Sequence, residues 1–99
     1  MKNFVLIIHA SLQQDLADRL RGLVSGFSFS TIEGHGSHTE NDPLLSARDK
    51  VVGYIPRVRV DILLEDAEVA GLIEQIRKIS GIQGHGIYWV NDVLEHGRM

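Results

Sequence analysis

Two histidines and two glutamates stand close together near the middle of the chain, at Glu33, His35, His38 and Glu40. The two histidines are separated by two residues in a glycine-bearing segment, so both imidazoles can turn toward one ion. Imidazole nitrogen with added carboxylate oxygen suits zinc, copper or nickel better than magnesium. The spacing therefore predicts a transition-metal site, which His9, His85 or His96 could complete after folding or from a neighbouring chain. The alternative is a solvated polar loop that binds nothing.

The composition narrows the class of protein. The chain has 99 residues, enough for one domain, with 13 acidic against 10 basic residues and no long basic run, which argues against a nucleic-acid partner. It has no cysteine, which excludes disulfides and thiolate chemistry and fits a cytoplasmic protein. The apolar run at residues 4–8 is far shorter than the ~20 residues that cross a bilayer, so we expect a buried strand and no direct membrane insertion.

The elements that must hold these residues form two strand–helix units. The apolar run at residues 4–9 predicts a central strand, and Ser11 with Gln14 is a capping-box pair that opens a helix. The alternation at residues 58–64 predicts another strand, followed by a second helix with Asp66 as its expected cap. The two helices carry apolar stripes at Leu12, Leu16, Leu20, Leu23 and Val24, and at Val69, Leu72, Ile73, Ile76 and Ile79.

The two halves of the chain repeat one pattern. The expected caps, Ser11 and Asp66, lie 55 positions apart, and the expected helix stops, Gly26 and Gly81, are separated by the same offset. A βαβ unit used twice gives a ferredoxin-like βαββαβ sandwich, an α+β fold with a four-stranded antiparallel sheet and two helices on one face.

The remaining elements follow from this arrangement. Residues 27–31 and 87–90 are the expected second and fourth strands, and the whole chain, residues 1–99, is one domain with a long loop at about residues 33–55. The face of the sheet without helices needs a cover, and a homo-oligomer is the simplest one.

Alternation also assigns side chains to faces of the sheet. Arg57 and Arg59 alternate with core positions, so both should project from one face, where they could meet an anionic ligand or carboxylates of another subunit. The alternative is that they are solvated or form surface salt bridges worth ~0–1 kcal/mol. Tyr88 and Trp89 should point to opposite faces of the last strand.

Three segments carry a family signature. They are residues 37–40 (Ser-His-Thr-Glu), 54–64 (Tyr-Ile-Pro-Arg-Val-Arg-Val-Asp-Ile-Leu-Leu) and 80–90 (Ser-Gly-Ile-Gln-Gly-His-Gly-Ile-Tyr-Trp-Val). In this order they resemble the PII signal-transduction proteins, which act in nitrogen regulation, and most closely a short PII-like branch often encoded beside heavy-metal efflux pumps. The resemblance implies a homotrimer with ligand clefts between subunits. It also implies a long mobile loop that docks on a partner, such as a membrane transporter or efflux-pump component.

The glycine-rich segment departs from the PII pattern Thr-Gly-x-x-Gly-Asp-Gly-Lys. A nucleotide site of that kind would use Gly81, Gly84, His85, Gly86 and Arg98, the last as the one candidate for a pair of C-terminal arginines. His85 replaces the aspartate and Ile87 replaces the lysine, which removes a phosphate contact worth ~1.5–3 kcal/mol. The departure argues against a nucleotide, and glycines at these positions also serve simply to turn the chain. His35 falls where PII proteins carry a glutamine that helps bind 2-oxoglutarate with magnesium.

These observations give one hypothesis and two alternatives. The hypothesis is a PII-like trimeric sensor that binds a transition metal and acts in metal homeostasis or efflux, with the ion ordering the loop. The first alternative is an adenine-nucleotide sensor of PII type that docks on a partner through its loop. The second is an oligomeric scaffold without a small ligand. The sequence has no nucleophile elbow or supported carboxylate pair, so we do not expect an enzyme.

Overall fold

The sheet is built from four antiparallel strands in the order β2-β3-β1-β4. A computed structural model describes residues 1–34 and 55–99. The strands are β1 (Lys2–His9), β2 (Ser28–Gly34), β3 (Ile55–Leu64) and β4 (Gly86–Asp92), and the helices are α1 (Gln13–Leu20) and α2 (Val69–Arg77). A short 3-10 turn precedes each helix, at Ala10–Leu12 and Asp66–Glu68. This is the predicted ferredoxin-like α+β fold.

One face of the sheet packs against both helices and forms the core. Phe4, Leu6 and Ile8 of β1 lie opposite Ile62, Val60 and Val58 of β3, and all six are buried. The predicted helix stripes supply the other layer through Leu12, Leu16, Leu20, Leu72, Ile76 and Ile79. Leu23, which was predicted to belong to the apolar stripe of the first helix, is instead 39% exposed. Apolar burial of this kind is the main stabilising term of a small domain.

The helix starts differ from the predicted caps. The Nδ1 atom of His9 accepts a hydrogen bond from the backbone N–H of Ser11 at 3.0 Å, so His9 rather than Ser11 caps the first turn. Gln14 does not close a capping box, because its side chain donates to Asp18 at 2.8 Å. A histidine at the end of an apolar strand is outside the usual set of capping residues, which explains the error.

Two further expectations about the helices are wrong. The cap of the second 3-10 turn is Glu65, whose backbone N–H donates to Oε1 of Glu68 at 3.1 Å, while Asp66 pairs with the amino group of Met1 at 2.9 Å. Helix α1 ends at Leu20, well before the predicted stop at Gly26. Gly81, the other predicted stop, does follow α2 with a positive φ of 84°, which glycine adopts without steric cost.

Candidate functional site

Four strand termini meet at one end of the sheet, here called the loop end. Gly34 at the end of β2 pairs with Ile55 at the start of β3, so residues 35–54 leave and return at this point. His9 closes β1 at the same end, and Gly86 opens β4 there. The register thus brings the end of the first apolar strand, the glycine-rich segment and the two borders of the long insertion to one edge of the molecule.

His9 is buried at the loop end with one ring nitrogen unused. Its side chain is 7% exposed, and Nε2 is buried without a hydrogen-bond partner among the described residues. The other nitrogen, Nδ1, accepts from the backbone N–H of Ser11. A nitrogen that accepts a hydrogen bond carries no proton, so the neutral ring must hold its proton on Nε2. His9 therefore presents a buried N–H donor that lacks an acceptor within the described part of the chain.

Arg57 presents a second donor beside the first. It is the β3 residue opposite His9 in the register, and opposite residues of an antiparallel pair lie on the same face about 5 Å apart. Its Nε atom is buried and unpaired within the described part of the chain. The side chain lies against the backbone of Gly34, where a Cβ atom would come within 3.2 Å of the arginine Cδ. Gly34 thus makes room for the arginine stem.

The two donors define what this position can bind. A buried N–H without an acceptor costs about 1–3 kcal/mol, and native proteins leave few such groups. Two of them on neighbouring strands, one carried by a guanidinium, favour an oxygen ligand with negative charge, such as a carboxylate. His9 and Arg57, together called the donor pocket below, lie on the helix-free face of the sheet, at the border of residues 35–54.

Further along the same face, two residues away from the loop end, the polar side chains of Arg59 and Asp61 are paired with each other. Arg59 donates from Nε and Nη2 to the two oxygens of Asp61 at 3.0 and 3.1 Å, and its guanidinium lies 5.7 Å from the ring centroid of Trp89. These hydrogen bonds hold the pKa of Asp61 below its ordinary value, against the opposing effect of burial, and Asn3 adds a weaker contact. The pKa of Arg59 is raised by the same hydrogen bonds.

The predicted metal ligands fall mostly outside the described residues. His35, His38 and Glu40 belong to residues 35–54, so the metal site stays a prediction. Glu33 is described: it lies on β2 opposite Pro56, with an exposed side chain, at the loop end. Within residues 1–34 and 55–99, no three histidine, aspartate or glutamate side chains form a metal-binding group. His9 is unsuited to complete a site through Nε2, because that nitrogen is the protonated one while the Ser11 contact holds.

The predicted nucleotide residues are divided between the two ends of the sheet. Gly84, His85 and Gly86 lie at the loop end, where the backbone N–H of His85 donates to the Ile82 carbonyl at 3.0 Å. Arg98 lies instead beside Asn3 and Leu63, at the far end of the strands. An eight-residue strand spans roughly 25 Å, so one chain does not bring Arg98 to the glycines.

Some side chains follow the predicted faces, and others were not anticipated. Tyr88 stacks on Phe4 on the helix side with ring centroids 5.6 Å apart, while Trp89 meets Arg59 on the other face, as alternation predicts. The role of His9 as cap and donor was missed. The sequence does place His9 between an apolar strand and a helix, which could have indicated a capping role. Its contact with β3 depends on the strand register, which the spacing of residues in the sequence does not determine.

The chain is similar in sequence to PII proteins. Two curated relatives share 30% identity with it over 74 residues: the nitrogen regulatory protein P-II of Mesorhizobium japonicum and the protein of the same name from Rhizobium leguminosarum bv. viciae. Each match covers 73% of this chain, and the aligned stretch spans 66% and 67% of the two relatives.

The chain belongs to the family described as proteins of unknown function DUF3240, whose model matches residues 2–99. The crystal structure of a DUF3240 family protein from Shewanella baltica OS155 has the same fold, with a TM-score of 0.76 at 21% identity over 99% of this chain and 94% of that one. No helix in the described part of the chain is long and apolar enough to span a bilayer.

Proposed function

We propose that this chain is a PII-type regulatory protein that senses a small ligand at the loop end of its sheet. The observation that carries the proposal is the pair of buried donors, Nε2–H of His9 and Nε–H of Arg57, which lack acceptors in the described part of the chain. An anionic ligand with a carboxylate would satisfy both donors. Because the site borders residues 35–54, its occupancy would change the local charge beside the insertion and so bias its conformation.

Calorimetry with carboxylates tests this function. 2-Oxoglutarate is the first probe, because the PII resemblance implies it, and citrate and succinate report whether any polycarboxylate suffices. Each is titrated into the wild-type chain with and without added zinc. We expect saturable binding of at least one of them. The absence of heat with every probe, both with and without zinc, would contradict a carboxylate site at His9 and Arg57.

The transition-metal site remains part of the proposal as a second ligand. Glu33 favours it, because its carboxylate is exposed at the loop end, two residues before His35 in the chain. A zinc, copper or nickel ion held by Glu33, His35, His38 and Glu40 would sit at the loop end, with Glu33 on the helix side of the sheet and His9 and Arg57 on the other side. The partner we propose is a component of a metal-efflux pump, as the resemblance implies.

Metal titration of protein without a histidine tag tests the second ligand. We expect one ion per chain, with binding lost in the double variant His35→Ala, His38→Ala and kept in the control Lys78→Gln, an exposed residue that is no metal ligand. Unchanged binding in the double variant would move the metal elsewhere or remove it. The adenine-nucleotide alternative has less support, because Arg98 lies at the other end of the sheet and Ile87 replaces the lysine.

The proposed assembly is a homotrimer. Support comes from the helix-free face, where Leu63 is 45% and Ile87 56% exposed because both point away from the helices. Exposed apolar side chains on a sheet face favour coverage by another chain. Light scattering during size-exclusion chromatography gives the mass in solution, and we expect three times the 11.0 kDa of one chain.

A further inference from the structure

A second cavity lies on the other side of the sheet, between α2 and the edge strand β4. It measures about 190 Å³. Its floor is formed by Phe4 and Leu6 of β1, and Ile73 and Ile76 of α2 form one wall. The opposite wall is Tyr88, which is 43% exposed and stacks on Phe4. The cavity is separate from the donor pocket, because these side chains point to the helix side of the sheet and His9 and Arg57 to the other.

Two glycines keep this cavity open. Gly86 faces the helix side opposite Ile8, and a Cβ atom there would come within 3.1 Å of the Ile8 side chain and 3.3 Å of the Ile7 carbonyl oxygen. Gly84 also lines the cavity and has a positive φ of 79°, a conformation that strains other residues. Since neither position accepts a side chain easily, the chain has no simple way to fill the gap itself.

The charge of the cavity is set by one residue. Among the described residues that line it, Arg77 in the last turn of α2 is the only one with a charged side chain. It has no carboxylate partner within residues 1–34 and 55–99. The uncharged polar side chains that line it in this part of the chain are those of Tyr88 and of Gln83, whose amide donates to the Arg77 carbonyl at 3.4 Å. An apolar chamber with a single cation at its edge favours a ligand with an apolar body and one negative charge.

We infer that this cavity binds a small aromatic carboxylate. A cavity of about 150 Å³ lined by apolar side chains accommodates one benzene ring, so the observed volume holds one ring together with a small substituent. The ring stacks on Tyr88 and contacts Ile73 and Ile76, since aromatic pairs prefer stacked or edge-on contacts. The carboxylate then reaches the guanidinium of Arg77. This site is independent of the proposed function at the loop end, and it can be present or absent whatever binds there.

Nuclear magnetic resonance of the full chain tests the inference with benzoate as the probe and benzyl alcohol as its uncharged counterpart. We expect benzoate to shift the backbone amides of Ile73, Ile76, Gly84 and Gly86 in a saturable manner. Arg77→Gln should weaken benzoate binding about tenfold, the loss expected for one charge-assisted hydrogen bond. The same variant should leave the weaker binding of benzyl alcohol unchanged. Lys78→Gln is the matched control, since Lys78 is the exposed neighbour that does not line the cavity.

A second variant separates the cavity from a general charge effect. Ile73→Trp places a larger ring in the cavity from a half-buried position and should abolish binding of both probes while the thermal midpoint stays near that of the wild type. The inference is overturned if millimolar benzoate shifts none of these amides in the wild-type chain. It is also overturned if Lys78→Gln weakens binding as much as Arg77→Gln, or if the folded Ile73→Trp variant binds benzoate as before.

Discussion

Arg57 and Arg59 lie two residues apart on the same face of β3, yet their side chains differ in hydrogen bonding. Arg59 makes a two-point hydrogen bond with Asp61 and lies over Trp89. Arg57 keeps a buried Nε–H for which residues 1–34 and 55–99 offer no acceptor. The paired guanidinium of Arg59 contributes to the structure, whereas the buried Nε–H of Arg57 still needs an acceptor from a ligand or from residues outside the described part of the chain. The difference identifies the ligand-binding end of the sheet that we propose.

The residues of β1 repeat the contrast. Asn3, near the start of β1, donates to Asp61 at 3.5 Å and so joins the paired group. His9, at the end of the same strand, keeps its Nε2–H unpaired within the described residues. On both β1 and β3, the unpaired donor lies at the loop end, and the polar side chains further from that end have hydrogen-bond partners among the described residues. Packing alone does not explain this agreement, because the core side chains of both strands are buried along their whole length.

Exchanging each arginine for methionine should give the largest effect. Methionine keeps an unbranched apolar stem and removes every donor. Arg57→Met should weaken binding of the carboxylate found by calorimetry at least tenfold, because a charge-assisted hydrogen bond is lost. Arg59→Met should leave that affinity unchanged, because Arg59 is engaged by Asp61. Urea unfolding should show the reverse order, with Arg59→Met the less stable variant.

Equal losses of carboxylate affinity in Arg57→Met and Arg59→Met would contradict the proposed difference between the two arginines. A strongly destabilised Arg57→Met would contradict it as well. Removing a buried donor that has no acceptor should cost little, since that group was already unsatisfied in the folded state.

Substitutions of His9 can test its two roles separately, the helix cap through Nδ1 and the unpaired donor through Nε2. His9→Asn keeps a side-chain oxygen able to accept from the Ser11 N–H and loses the Nε2–H, so stability should persist while carboxylate affinity falls several-fold. His9→Ala loses both groups and should also lower the free energy of unfolding by about 1 kcal/mol, the usual value of a helix cap. Thermal unfolding and calorimetry on both variants check this. A loss of stability in His9→Asn as large as in His9→Ala would mean that the Nδ1 contact is not a cap.

Gly34 should give a smaller effect of the same kind. A methyl group there would meet the Arg57 side chain at 3.2 Å, and the arginine must shift by a few tenths of an ångström to admit it. We expect Gly34→Ala to weaken the carboxylate by a few-fold at nearly unchanged stability. Gly71→Ala is the matched control, because a Cβ atom there meets nothing within 4 Å. In that helical position alanine should stabilise the chain by up to about 1 kcal/mol without affecting binding. Equal affinity in the two variants would contradict the proposed contact.

The sequence predicted the scaffold because its signals are local and repeated. The stripe through Leu16 and Leu72, and the alternation around Val60, each depend on a period that a short segment displays in full. The donor pocket was not predictable in the same way. It depends on His9 facing Arg57. These residues lie on strands that α1, β2 and residues 35–54 separate in the chain, so their register follows from the packing of the whole core. The caps failed for a smaller reason, since propensity favours serine and aspartate over the histidine and glutamate that the chain uses.

The smallest expected effect is the loss at low pH of the stability that the Arg59–Asp61 pair contributes. Hydrogen bonds from Arg59 hold the pKa of Asp61 below its ordinary 3.8, so the folded state binds that proton more weakly than the unfolded state. The pair therefore stabilises the fold above the unfolded pKa, and this contribution disappears as the pH falls below about 4 through the folded pKa. Unfolding midpoints in urea, measured from neutral pH into this range, should show Arg59→Met converging on the wild type. Arg57→Met should keep a constant offset, since Arg57 has no such carboxylate partner among the described residues. A constant offset for Arg59→Met would mean that Asp61 draws its low pKa from another source, and the contrast between the two arginines would then rest on ligand affinity alone.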